Sequence, residues 1–463
     1  MIDSLKPYPE YMTTAQDWLG DVPRHWSVLP NRALFAEVKD RNHPDEKMLS
    51  VTITRGIVQQ RTLLAGSSKK DSSNLNRSAY KLVQPRDVAY NKMRAWQGAI
   101  GASDYRGIIS PAYVVMRLRY DKDLPRYFHH LYRTPQFAKE AERWSYGITS
   151  DMWSLRPEHF KLINTPQPPP DEQAAIVRFL DWENGRLERA IKAKRKVIAL
   201  LKEQKQAIIH RTVTRGIDPS VPLKPSCIPW LGDIPQHWEI LRGKYVGTLF
   251  STPSVSDDKL TENSVSNFMY LKVSDLIGVD SSLKLAHSRL YVKRKSLTGE
   301  ACKPFLVFPK RGGAIYTNRI AIVESECFLD PNLMGWKITD RFDIRYVILL
   351  FKTRTLADLA DVSSVPQINN HHINPIPFPA PPIEEQRAIV IELQKNLAGV
   401  NTAINRLERE IELLREYRTR LVADVVTGKL DVREAAAKLP KEAAPDGDEN
   451  SDENELSDEE VAV

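Results

Sequence analysis

With 463 residues, 42% of them hydrophobic, the chain exceeds what one hydrophobic core fills, so at least two domains with connectors are expected. The formal net charge is +7, but residues 441–463 carry ten Asp or Glu against Lys441 alone, which leaves +16 on the preceding 440. An excess of that size points to a polyanion partner, because neutralising phosphates releases counterions. Cys227, Cys302 and Cys327 have no metal-ligand spacing and read as reduced core thiols; the segment Met1 to Pro7 lacks a signal peptide's apolar stretch, and no run is long enough to span a bilayer. These features argue against disulfide scaffolds, zinc modules and membrane proteins, and predict a cytoplasmic protein.

In chain order, Trp18-Leu19-Gly20-Asp21-Val22-Pro23-Arg24-His25-Trp26 opens the first structured segment. Residues 27–165 then show short β-branched apolar runs, Met48 to Thr54, Val88 to Tyr90 and Ala112 to Arg119, broken by Gly, Pro, Asn and Asp. This pattern predicts a mixed α/β domain with short strands. Within it, Tyr90-Asn91-Lys92-Met93-Arg94-Ala95-Trp96-Gln97-Gly98 combines groups that recognise nucleic acid. Arg94 can bond guanine in a bidentate way, Asn91 or Gln97 can pair with adenine, and Lys92 suits phosphate, while Trp96 reads either as core or as a stacking platform.

Pro168-Pro169-Pro170-Asp171-Glu172-Gln173 next terminates a strand and starts a helix. Asn184, Leu187, Ile191, Lys194, Ile198, Leu201, Lys205, Ile208 and Thr212 alternate spacings of three and four, a heptad seam with polar sites that can set register. Between 173 and 215 the helix holds eleven Lys or Arg against four Asp or Glu. That face lies near phosphates, or is a solvated face that pairs with Glu408, Glu410 and Glu412.

The pattern then returns. Trp230-Leu231-Gly232-Asp233-Ile234-Pro235-Gln236-His237-Trp238 repeats the opening motif 212 residues later with seven of nine positions identical. Residues 239–378 again predict short strands, through Phe268 to Val273, Phe305 to Phe308, Ala314 to Tyr316 and Ile320 to Val323. The two middles echo each other loosely, Val88 to Arg94 before Ser110-Pro111 matching Leu306 to Gly312 before Asp330-Pro331. Lys310 and Arg311 fall at the point comparable with the Asn91 segment, and Asn318, Arg319, Lys293 and Arg294 add further base- or phosphate-binding candidates. Pro381-Pro382-Ile383-Glu384-Glu385-Gln386 opens a second helix with seam Leu397, Val400, Ile404, Leu407, Ile411, Leu414, Arg418, Leu421 and Val425, and seven residues of each charge between 385 and 427. Val213-Thr214 and Val426-Thr427 mark the two helix ends. Each helix spans roughly 60 Å at about 1.5 Å per residue. The heptads leave direction open; symmetry favours antiparallel. Ends alike and middles different describe a symmetric scaffold whose inserts meet different things.

No catalytic motif emerges: there is no phosphate-cradling Gly-rich loop with Lys, no dinucleotide fingerprint and no Pro-Pro-aromatic methyltransferase signature. Asn369-Asn370-His371-His372 could be taken for a metal or nuclease site, but it lies where the first half has Arg156-Pro157-Glu158-His159, a lead-in to the proline step.

The paired openings, the paired proline steps, the Tyr90 to Gly98 string and Gly107-Ile108-Ile109-Ser110-Pro111-Ala112-Tyr113 together resemble the specificity (S) subunit of type I restriction-modification enzymes, the HsdS family, over nearly the whole chain. The resemblance implies an α+β protein: target-recognition domains at 1–166 and 217–380, and spacer helices at 167–216 and 381–430 forming an antiparallel coiled coil with pseudo-two-fold symmetry. The acidic tail falls outside the pattern, and the segment drawn at 431–463 is expected to be disordered from its composition. It implies a non-enzymatic chain that reads a bipartite, asymmetric site on double-stranded DNA. Two modification (methyltransferase) subunits would carry S-adenosylmethionine, separate restriction (motor-nuclease) subunits ATP and magnesium, and no cofactor or metal would sit on this chain. A spacer of fixed length makes the gap matter, because one added base pair turns a half-site by about 34°, given roughly 10.5 base pairs per turn.

Overall fold

The duplicated motifs fall at equivalent places in two units, Met1–Arg195 with Glu408–Val463 and Lys196–Leu407. The computed structural model describes residues 5–64, 77–147, 153–265, 268–279, 283–292, 304–361 and 365–440. Both unit boundaries lie within long helices, so each unit holds one divergent middle and parts of both helices.

In unit one, Tyr11–Thr13 pairs with Asp21–Pro23 and Ser27–Pro30 with Asn164–Gln167, so the chain enters and leaves the middle side by side. The middle rests on an antiparallel sheet of β1 (Phe35–Val38), β3 (Val88–Asn91), β4 (Ile100–Ala102) and β5 (Tyr113–Leu118), ordered β1-β5-β3-β4; β2 (Lys81–Val83) pairs separately with Gly107–Ile109. Alternation buries both faces. Val88, Tyr90, Val114 and Met116 join Phe128, Tyr132 and Phe160, whereas Ala89, Tyr113 and Val115 turn to Leu49, Val51 and Ile57.

Unit two repeats the plan. Leu223–Pro225 pairs with Asp233–Pro235 and Glu239–Arg242 with Pro377–Ala380. Its central sheet, β6 (Gly247–Phe250), β7 (Phe305–Pro309), β8 (Ala321–Val323) and β9 (Leu333–Ile338), runs β6-β9-β7-β8, the order of unit one. The loose echo between the middles is therefore structural: Val88 and Leu306 start equivalent stretches of β3 and β7, and Ser110 and Asp330 accept from the amides of Tyr113 and Leu333 in the same turn. The run Ala314 to Tyr316, expected as strand, is instead a helical turn, Gly313–Thr317. Gly312 before it (φ +79°) and Asn318 after it (φ +49°) are left-handed, and that breaks the extended chain at both ends.

Prolines separate strand from helix as read: strands end at Gln167 and Ala380, and the long helices are α1 (Pro170–Arg215) and α2 (Ile383–Val426). In unit one Lys194 Nζ meets Glu410 Oε2 at 2.6 Å, and Arg418 Nη1 meets Glu188 Oε2 at 3.0 Å. Partners descend α1 as they ascend α2, so the segments are antiparallel. In unit two Lys205 Nζ donates to Asn401 Oδ1 at 2.7 Å, and Gly216 approaches Glu385, the same sense. The seam is buried at Leu187, Ile191, Ile411, Leu421 and Val425 in unit one and at Ile198, Leu397 and Ile404 in unit two; Leu201, Ile208, Val400, Leu407 and Leu414 are half-buried. Each helix stops at a left-handed glycine, Gly216 or Gly428; a Cβ on Gly428 would stand 2.3 Å from Pro23 Cδ.

Two further expectations change. Cys327 is buried as read, but Cys227 is exposed, and Cys302 lies outside the described residues. Of the acidic segment drawn from 431, residues 431–440 fold onto unit one through the helix Arg433–Ala437, where Val432 and Ala436 are buried; 441–463 lie outside the described residues. Among the described residues no helix is long and apolar enough to cross a membrane.

Candidate DNA interface

The duplicated motifs build the scaffold and leave the sheet ends free for function. In unit one the Glu172 carboxylate accepts from Trp26 Nε1 at 2.9 Å and from the Tyr8 hydroxyl, and lies 2.8 Å from His25 Nε2. Burial, then the bond to Glu172, pushes the Tyr8 hydroxyl well above the usual phenol range. Unit two repeats the clamp, with His237 Nε2 and Trp238 Nε1 at 2.8 and 3.1 Å from Glu385. The neighbouring glutamines do the second job: Gln173 accepts from the Leu124 amide and donates to Asp123 and the Pro168 carbonyl, and Gln386 bonds the Asp343 amide and the carbonyls of Arg341 and Pro381. Tyr127 donates to the Val426 carbonyl in unit one, as Tyr346 does to Val213 in unit two. Sequence alone marked the His, Trp, Glu and Gln residues as repeated without giving their partners, and it did not single out Tyr8, Tyr127 or Tyr346.

The candidates of unit one sit where β3 ends. Asn91 accepts from the Met93 amide at 3.0 Å and tightens the turn, and the Lys92 carbonyl accepts from the Leu155 amide at 2.8 Å. Arg94, half-buried, precedes the short turn Ala95–Gln97, which closes at Gly98 (φ +96°). Trp96 donates to the Met93 carbonyl at 2.9 Å, stands edge-on to Trp153 and packs on the core, whereas Gln97 is exposed. Arg133 fixes the loop's far side through the carbonyls of Ile53 and Ile100 at 2.8 and 3.1 Å.

Three cations that the sequence did not single out share this edge. Lys39 and Arg41 follow β1, and Lys81, the first residue of β2, bridges to Arg41. Lys81 is buried and its ammonium donates to the Tyr113 carbonyl. Burial, then Lys92, with Arg41 and Lys39 nearby, holds it below the usual lysine range, and Glu37 acts in the opposite direction. Tyr113 itself is pushed up by burial, with Arg94 and Asn91 acting in the opposite direction.

In unit two Lys310 holds the place of Lys92: its carbonyl accepts from the Ile368 amide at 2.9 Å, and its Nζ lies 3.1 Å from Ser251 Oγ. Arg311 is exposed and bridges Gln367. Asn318 takes the place of Gly98, its left-handed backbone held by bonds to the Arg354 carbonyl and the Leu356 amide at 3.2 and 3.0 Å; Arg319 beside it is half-buried. Lys293 and Arg294 lie outside the described residues. The two candidate sets thus occupy the same end of equivalent sheets, each within its own unit.

No protein-family model matches the sequence. A Methanocaldococcus jannaschii protein named as the specificity subunit of the type I restriction enzyme MjaX is 24% identical over 444 residues, 90% of this chain and 96% of its own length. The specificity subunit of the type I restriction enzyme MjaVIII of the same organism is 22% identical over 287 residues, 59% of this chain and 64% of its own. A chain solved for the complex assembly and conformational transition of a type I restriction-modification system shares the fold, with a TM-score of 0.62 at 14% identity over 88% of this chain and 99% of that one. Over nearly its whole length the chain is thus similar in sequence to a type I restriction enzyme specificity subunit.

Among the described residues one cluster has the composition of a metal site. Asp361, His371 and His372 bring potential ligand atoms within 4.8 Å of one another. His372, however, accepts the Asn369 amide on Nδ1 at 2.9 Å, which places its proton on Nε2, 2.8 Å from Asp361 Oδ1. Nδ1 thereby caps the short helix Asn370–Ile373, the counterpart of Pro157–Leu162 in unit one, and Nε2 ties that helix to Asp361.

Proposed function

We propose that the chain is the DNA sequence-specificity subunit of a type I restriction-modification complex, itself non-catalytic, in which each unit reads one part of a bipartite, asymmetric site. The observation that carries this reading is a near-identical scaffold, in motif, sheet order and helix clamp, bearing different loops at the same sheet end. Equivalent platforms with unlike surfaces suit two unlike half-sites. Within the loops, Arg94, Gln97, Arg311 and Arg319 are the proposed readers of base edges, while Asn91, Trp96 and Asn318 shape the turns that present them. The antiparallel helices act as spacer and as the docking region for two modification subunits, which supply S-adenosylmethionine and adenine methylation. Restriction subunits supply ATP- and magnesium-dependent translocation and cleavage.

The test replaces residues 27–165 with the corresponding segment of another family member. The chimaera is co-expressed with the modification subunits and the methylated adenines are sequenced. One half of the methylated site changes and the other half stays. An unaltered methylated sequence in an assembled, active complex rejects the reading.

A further inference from the structure

We propose that the sheet end of unit one is a seat for DNA backbone phosphates, formed by Lys39, Arg41 and Lys92 around the buried Lys81. The inference rests on the DNA-reading function proposed above and adds where unit one grips the duplex irrespective of sequence.

The seat follows from topology. In the order β1-β5-β3-β4 all neighbours are antiparallel, so the C-terminal ends of β1 and β3 and the start of β5 meet at one edge. Lys39 and Arg41 leave β1 there, Lys92 leaves β3, and Tyr113 opens β5 with its carbonyl turned to the Lys81 ammonium. Among the described residues no carboxylate lies within ion-pair distance of Lys81, Arg41 or Lys92. Of the nearby acids, Glu37 is held by Lys161 at 2.9 Å and also reaches Lys39 of the seat at 3.4 Å, and Asp40 pairs with His43 at 2.9 Å. A buried ammonium facing three cations, offset in part by Glu37, is costly in the unbound protein, and an anion at the surface relieves that cost. Lys39 and Arg41 are exposed and Lys92 half-exposed, so the surface is open, not an enclosed pocket. An open cationic edge gains most from a polyanion, whose condensed counterions are released on contact. Unit two is built differently at this point. Ser251, Thr252 and Pro253 follow β6 where Lys39, Asp40 and Arg41 follow β1, and the Ser251 hydroxyl lies beside Lys310. The cations after the edge strand belong to unit one.

The test uses the full chain assembled with its modification subunits, comparing Arg41→Gln, Lys92→Gln and the double variant with the parent. Neither side chain holds a hydrogen bond among the described residues, so the fold does not depend on them. Binding is measured from low to high salt on a duplex carrying the methylated site and on an unrelated duplex. In the double variant the plot of log affinity against log salt becomes shallower by about 1.8 on both duplexes, about 0.9 for each lost phosphate contact, with the methylated sequence unchanged. An unchanged slope overturns the seat and leaves the specificity function standing, and so does a changed methylated sequence, which would make these residues base readers. A parent complex with no salt-dependent DNA binding overturns the function and the seat together.

Discussion

Glu172 and Glu385 occupy the same motif position but different surroundings, and that difference sets what each is worth. The Glu172 side chain is 2% exposed and receives two donors besides His25, whereas the Glu385 side chain is 23% exposed and, among the described residues, bonds the His-Trp pair alone. Glu172→Ala strands the Tyr8 hydroxyl and the Trp26 indole in the interior and is expected to destabilise unit one by roughly 2–4 kcal/mol. Glu385→Ala strands one buried donor, the Trp238 indole, while His237 stays within reach of water, and it is expected to cost about 1–2 kcal/mol. Urea denaturation of the two variants checks the ranking; equal losses would contradict it. Arg94→Ala and Arg311→Ala test the proposed base readers. If each arginine bonds a guanine edge, the variant loses about 1–3 kcal/mol of discrimination at one position, seen as relaxed methylation there. A uniform loss over all sequences would assign the arginine to phosphate.

At the scale of elements the seam explains why polar residues interrupt the heptads. Lys194, Lys205 and Arg418 each find a partner on the opposite helix within their unit, Glu410, Asn401 and Glu188. Of the two readings of the basic first helix, pairing with the second helix accounts for Lys194 through Glu410. Ile191, 2% exposed, is expected to cost about 2–4 kcal/mol when cut to alanine, because the cavity is closed in by both helices. Lys194→Ala, whose ion pair is about one-third exposed, is expected to cost less than about 1 kcal/mol. Thermal and chemical denaturation of the pair measures this; a larger loss from Lys194 would make the ion pair, not the apolar seam, the main determinant of the helix contact.

Over the whole molecule, the repeat, the proline steps, the seams and the glycine stops were legible in the chain because each is a local pattern: spacing along a helix, a residue that cannot donate, a residue that tolerates a left-handed backbone. The short strands of the middles were legible where β-branched runs are long enough, as at Val88 and Phe305, and misread at Ala314 to Tyr316, where flanking left-handed residues outweigh an apolar run. The likeness of the two central sheets could be glimpsed but not established, since strand order is not written in either middle.

The sequence by itself determined that this protein is a duplicated scaffold with two long helices and two unlike inserts, and its motifs already resembled the specificity-subunit family. Only the tertiary structure decided what those motifs hold: the opening His-Trp pairs fasten the first-turn glutamates, and the glutamines beside them fasten the loop that follows each sheet. It also decided that Lys39, Arg41, Lys81 and Lys92 form one group and that the paired helix segments are antiparallel. The physical reason is the same in each case. Periodicity and turn chemistry act between residues a few positions apart, whereas these contacts join residues brought together by sheet order and helix pairing, which no short stretch of sequence encodes.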